Sequence, residues 1–94
     1  MYSMECKYSF SPEKNQKLIK ERNISFEEVI FVILEKGILD ILEHPNLDKY
    51  PNQRIIVLAI DSYVFLVPAI FNDEMIFLKT IIPSRKATKK YLGD

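Results

Sequence analysis

Three apolar runs, Arg54 to Ile60, Tyr63 to Phe71 and Met75 to Ile82, are separated only by Asp61-Ser62 and by Asn72-Asp73-Glu74. This spacing constrains the fold more than any other feature. A parallel crossover needs a dozen or more residues, whereas links of two and three residues force antiparallel neighbours. The second half of the chain therefore reads as a meander. Its runs are apolar at nearly every position, so the sheet should be covered on one face and at least partly on the other.

Before Tyr50 the signals are helical. Lys7-Tyr8-Ser9-Phe10 alternates and suits a short strand. Ser11 then offers an N-cap and Pro12 suits a first helical position, where its missing N–H costs nothing. The helix should run from Pro12 to Arg22, anchored by Leu18 and Ile19, with Asn23 as a left-handed stop. Ser25-Phe26-Glu27-Glu28 has the spacing of a capping box, and Ile24 and Val29 that of a hydrophobic staple. This second helix carries Phe26, Val29, Ile30, Ile33 and Leu34 and should stop at Gly37. Ile38 to His44 reads as a strand, and Pro45 to Asn52 as a loop. Pro83-Ser84-Arg85 should open a short helix reaching about Tyr91. The expected class is α+β: two N-terminal helices on a four-stranded antiparallel meander, followed by a short C-terminal helix.

The 94 residues support one domain, residues 1–94, with 48% hydrophobic and 28% charged side chains. Roughly 65% of the unfolded surface should be buried at this size, enough for one thin core. Cys6 has no partner for a disulfide, and one Cys with one His does not make a closed zinc site. Asp40, Glu43 and Asp48 lack the spacing of a calcium loop, so neither metal nor cofactor is expected. The polar start, Met1 to Lys7, does not resemble an export signal. The longest apolar run holds nine residues, against the roughly 18 to 20 of a membrane helix. A soluble, cytoplasmic protein without membrane contact is expected.

Thirteen basic and thirteen acidic residues cancel to a net charge of zero. The sum hides a separation. Between Asn23 and Asp48 six acids face one base, Lys36, whereas Lys79 to Tyr91 holds five bases and no acid. The bases Lys79, Arg85, Lys86, Lys89 and Lys90 are interleaved with Thr80, Ser84, Thr88 and Tyr91, a chemistry suited to phosphate. Lys86 with Lys90, and Arg85 with Lys89, are like-charge pairs one turn apart, each unfavourable by a few tenths of a kcal/mol, roughly, in an isolated helix. A helix built only for solubility could have alternated its signs.

Glu13-Lys14-Asn15, Lys20-Glu21-Arg22-Asn23-Ile24-Ser25-Phe26-Glu27-Glu28-Val29 and Ile81-Ile82-Pro83-Ser84-Arg85-Lys86-Ala87-Thr88 together resemble the BrnT-like toxins. These are small bacterial ribonucleases related in fold to RelE and encoded beside a neutralising antitoxin. Phe10-Ser11 and Glu21-Arg22-Asn23 stand where family members often have Trp-Asp and Lys-His-Gly. The resemblance implies a metal-independent endoribonuclease that cleaves mRNA and inhibits translation. It also implies an antitoxin with a ribbon-helix-helix half, with DNA reached only through that complex. An acidic or apolar antitoxin segment is expected over the Lys79 to Tyr91 surface.

Such cleavage uses the ribose 2′-OH as nucleophile, so the protein must move protons and stabilise a crowded phosphate. Arg85 at a helix start and Lys79 on the last strand suit the charge, and Arg54 could reach them if the register allows. Lys86, Lys89, Lys90, Ser84 and Thr80 are candidate phosphate contacts. His44 is the only side chain titrating near neutrality unaided. Tyr91, Tyr50 or Lys86 would need neighbouring cations to act as acid or base. The alternative is a non-enzymatic interaction module whose basic C-terminal helix binds an acidic protein.

Overall fold

The computed structural model describes residues 7–46 and 48–93. The expectations for Cys6 and for the polar start of the chain lie outside these residues. The elements in order are β1 (Lys7–Phe10), α1 (Pro12–Arg22), α2 (Phe26–Glu35), β2 (Asp40–Glu43), β3 (Gln53–Ile60), β4 (Tyr63–Phe71), β5 (Met75–Leu78), β6 (Ile82–Pro83) and α3 (Arg85–Leu92). The class is α+β.

Local signals set the helix ends. Ser11 Oγ accepts from the Lys14 N–H at 3.2 Å, and Asn23 closes α1 in the left-handed region at φ 56°. Ser25 Oγ accepts from the Glu28 N–H at 3.1 Å. Gly37, at φ 86°, donates its N–H back to Val32 O at 3.0 Å and ends α2. Asp61 and Ser62 both have positive φ, 53° and 66°, as a two-residue turn between right-twisted strands requires.

The sheet runs β1-β5-β4-β3-β2, with β6 beside β4. The antiparallel meander β2 to β5 is present, but six strands replace the four expected and the sheet is mixed. β1 joins β5 in parallel, Lys7 opposite Met75 and Phe10 opposite Leu78. The expected strand Ile38 to His44 shortens to β2.

The expected strand Met75 to Ile82 divides into β5 and β6, and the cause lies across the ladder. From Ala69 to Leu66 is three steps on β4, but their partners Leu78 and Ile82 are four steps apart. One extra residue therefore bulges out between β5 and β6. Pro68 sits at this point, accepting the Lys79 N–H at 2.8 Å while having no N–H to return.

Alternation sorts the side chains by face. Ile56, Leu58 and Ile60 of β3, with Val67, Ala69 and Phe71 of β4, form the core with Leu18, Ile24, Phe26, Val29 and Val32 of the N-terminal helical region. Phe10 stacks on Phe26 with centroids 5.0 Å apart. Asn15 is the buried polar residue among those described: its Oδ1 accepts the Phe26 N–H at 2.7 Å, and its Nδ2 donates to Glu27 Oε1 at 2.7 Å. Val57 and Val64 are buried on the opposite face. That face carries α3. No helix among the described residues is long and apolar enough to cross a membrane.

Candidate nucleic-acid interface

α3 is attached to the sheet through polar groups. Ser84 is its N-cap, with Oγ accepting the Ala87 N–H at 3.0 Å. The Ser84 N–H donates to Val64 O at 3.0 Å, which carries the β6 pairing into the helix. One turn on, Thr88 Oγ1 accepts the Val64 N–H at 2.9 Å and donates to Ser84 O at 2.7 Å. Both backbone groups of Val64 are thereby held by the α3 segment. At the far end the Tyr91 hydroxyl donates to Asp40 Oδ2 at 2.7 Å, so the helix crosses from β4 to the edge strand β2. Asp40 Oδ1 accepts the Ile41 N–H at 2.8 Å.

These attachments aim the cations. Lys86 and Lys90 lie one turn apart along a shallow groove of about 180 Å³, whose floor includes Leu42 and Leu66. Arg85 and Lys89 are exposed but lie one residue, or about 100°, off that stripe. Alternation from the buried Leu78 puts the exposed Lys79 on the same face of the sheet, opposite Pro68. Thr80 is half-buried in the bulge, beside Ile81. Lys90 Nζ is 5.4 Å from the centre of the Tyr91 ring.

Two candidates are not brought to this groove. Arg54 pairs in register with Glu43 and Ala69, which puts it on the α1–α2 face, its guanidinium 5.8 Å from the centre of the Phe71 ring. The register therefore does not allow the reach expected of it. His44 follows β2, two residues beyond Leu42 of the groove floor, and does not itself line the groove. Its Nδ1 accepts the Asn46 N–H at 3.0 Å, and its ring lies against Tyr50 with centroids 4.5 Å apart. With Nδ1 accepting, the neutral ring carries its proton on Nε2 and offers a donor there.

Tyr91 anchors the end of α3 through its hydroxyl. The hydrogen bond to Asp40, first of all, raises its pKa above the ordinary tyrosine value of about 10. The phenol keeps its proton, which it donates to Asp40 Oδ2. The Ser84 and Thr88 hydroxyls likewise have structural work, as cap and as strand anchor.

Sequence reasoning missed two positioning residues. In the sequence Asp40 stood out only as acidic charge and as an unsupported cation ligand, yet it anchors the end of α3. Arg22 Nη1 donates to Ile81 O at 2.8 Å and ties the end of α1 to the bulge. A basic residue in a last helical turn is ordinary, so nothing local signals that contact. Among the described residues no three of His, Cys, Asp and Glu gather as metal ligands would.

The arrangement can hold an anionic chain along Lys86 and Lys90, with Lys79 as a further cation on the same face of the sheet. No family model matches the chain, and no curated protein or solved structure shows significant similarity to it.

Proposed function

We propose that this chain is a metal-independent endoribonuclease of the BrnT-like kind, with a RelE-like fold. It acts as a cytoplasmic toxin restrained by a ribbon-helix-helix antitoxin. The observation that supports this most is the placement of Lys86 and Lys90 along one groove, with Lys79 on the same sheet face. In the reaction the ribose 2′-OH loses its proton and attacks the adjacent phosphorus. The bond to the 5′ oxygen breaks, that oxygen takes a proton, and a 2′,3′-cyclic phosphate is left. Lys86, Lys90 and Lys79 stabilise the negative charge, and Arg85 extends the phosphate track at the first turn of α3.

The test is cleavage of a defined mRNA by purified protein in excess chelator. Lys86→Ala with Lys90→Ala should lower the rate at least tenfold, and Arg85→Ala, off the groove, should lower it less. The double variant should also flatten the salt dependence of single-strand RNA binding, by about 1.4 in log–log slope. Equal cleavage by wild type and double variant would sink the site.

A second reading has its own support. Tyr91 donates its one hydroxyl proton to Asp40, and His44 does not line the groove of Lys86 and Lys90, so neither is placed as a base between those cations. This suits a module whose basic helix binds an acidic protein. Salt-sensitive binding of such a protein, with free and ribosome-bound RNA left intact, is the outcome that selects it.

A further inference from the structure

α3 covers only one end of its sheet face. It is pinned at Val64 and Asp40, and Leu42 and Leu66 floor the groove beside it. Further along, pairing aligns two rows across the same face: Lys79 with Pro68 and Ile55, then Phe77 with Ile70 and Gln53. Apart from the exposed Lys79 these residues are half-buried, although β3, β4 and β5 are interior strands. Solvent therefore reaches an aromatic ring in the middle of a sheet floor. The charge on this face is one-sided. β3 and β4 place no charged residue on it, β1 contributes Lys7, Lys79 follows β5, and α3 brings Lys86 and Lys90. Its strand acid, Asp40, is engaged by Tyr91. The remaining nearby acids, Asp48, Asp61, Asp73 and Glu74, are exposed in the loops at the two ends, with Lys49 beside Asp48.

We propose that this floor is the base-binding half of the RNA site, with Phe77 as the ring on which one base stacks. The inference rests on the RNA reading and adds to it the strandedness of the substrate. Phe77 and Lys79 stand two residues, or about 7 Å, apart on one face, a separation that a single nucleotide spans from base to phosphate. The phosphates follow Lys79, Lys86 and Lys90, and the bases turn away from them onto Phe77, Ile70 and Ile55. Gln53, in the same row, offers an amide donor and acceptor to a base edge. Every base has a π-face, so stacking tolerates any sequence, but it needs a base released from its own helical stack. The floor therefore takes single-stranded RNA and rejects a duplex. An acidic protein segment satisfies the lysines alone, whereas a base-bearing strand satisfies lysines and ring together.

The test titrates the full chain with a single-stranded RNA of about eight nucleotides whose 2′-O-methyl groups block cleavage. A duplex of the same sequence, an abasic strand of the same length and poly-glutamate are the comparisons. The single strand should bind most tightly and shift the amides of Gln53, Ile70 and Phe77 together with those of α3. The abasic strand should shift α3 alone. Phe77→Leu should weaken the single strand about fivefold or more at an unchanged salt slope, because the phosphate contacts remain. Phe77→Tyr keeps the ring and should bind as wild type does, and the wild-type shifts decide the matter if Phe77→Leu unfolds. Failure of the wild type to bind the single strand overturns the RNA reading and this inference with it. Equal binding of the abasic strand or the duplex, shifts confined to α3, or a folded Phe77→Leu that binds as wild type does overturns this inference alone. Equal binding of poly-glutamate overturns it in favour of the acidic-protein reading.

Discussion

The helices on the two faces of the sheet are attached by different physics. α1 and α2 bury Leu18, Phe26, Val29 and Val32 against β3 and β4, and Asn15 is buried with both ends of its amide in use. None of the described residues of α3 is buried, and hydroxyl and carboxylate groups hold it instead. A helix attached by burial opens only when the core opens. One attached by a few polar contacts can open locally, at lower free energy. The charge separation follows the same division, since a helix with four cations in eight residues has little apolar surface to bury.

Breaking the buried side of this comparison should have the largest effect. Phe26→Ala removes a fully buried ring stacked on Phe10 and should cost about 3–5 kcal/mol, read as a lower urea midpoint. Asn15→Ala strips the Phe26 N–H of its acceptor inside the same layer. It should cost about 1–3 kcal/mol, with the urea m-value unchanged. Both losses should appear equally at the protected amides of α1, α2, β3 and β4, because this layer opens only with the whole molecule.

The polar side should respond locally. Thr88→Val keeps the shape of the side chain and removes the acceptor for the Val64 N–H. Hydrogen exchange should quicken at Val64 and through α3, by about 1–2 kcal/mol in local opening free energy, while the urea midpoint moves less. A uniform loss across the whole sheet would mean that α3 is as much a part of the core as α2.

The two sides were also unequally legible in the sequence. The ends of α1 and α2 were readable because Ser11, Asn23, Ser25 and Gly37 act on backbone groups a few residues away. Asp61-Ser62 was readable for the same reason. The bulge was not, because Pro68 disrupts pairing with a segment eleven residues further on, and only the register shows it. The β1–β5 pair joins segments with most of the chain between them, so no local pattern announces it. The phosphate candidates failed at the same level. In β3 both faces are apolar, so alternation could not say which side α3 would take, and Arg54 fell on the other one. Lys86 and Lys90 were legible as charge, but their common groove follows from where Ser84, Thr88 and Tyr91 pin the helix.

The smallest expected effect belongs to the last of those pins. Tyr91→Phe keeps the ring and removes the hydrogen bond to Asp40. Because the folded phenol ionises above its ordinary value, the folded protein holds that proton more tightly than the unfolded chain does. Between the two values unfolding releases the proton, so stability falls as pH rises. The stabilisation is complete below the ordinary tyrosine value of about 10 and is lost as pH climbs through the folded one. Wild type should therefore melt slightly above Tyr91→Phe near neutral pH, and the two melting curves should converge once Tyr91 ionises. The hydrogen bond is open to solvent, which keeps the difference small, and exchange at the Lys89 and Lys90 amides should show it more clearly than calorimetry. A difference that persisted unchanged above the folded value would assign the anchoring to the ring, and α3 would then be held by packing after all.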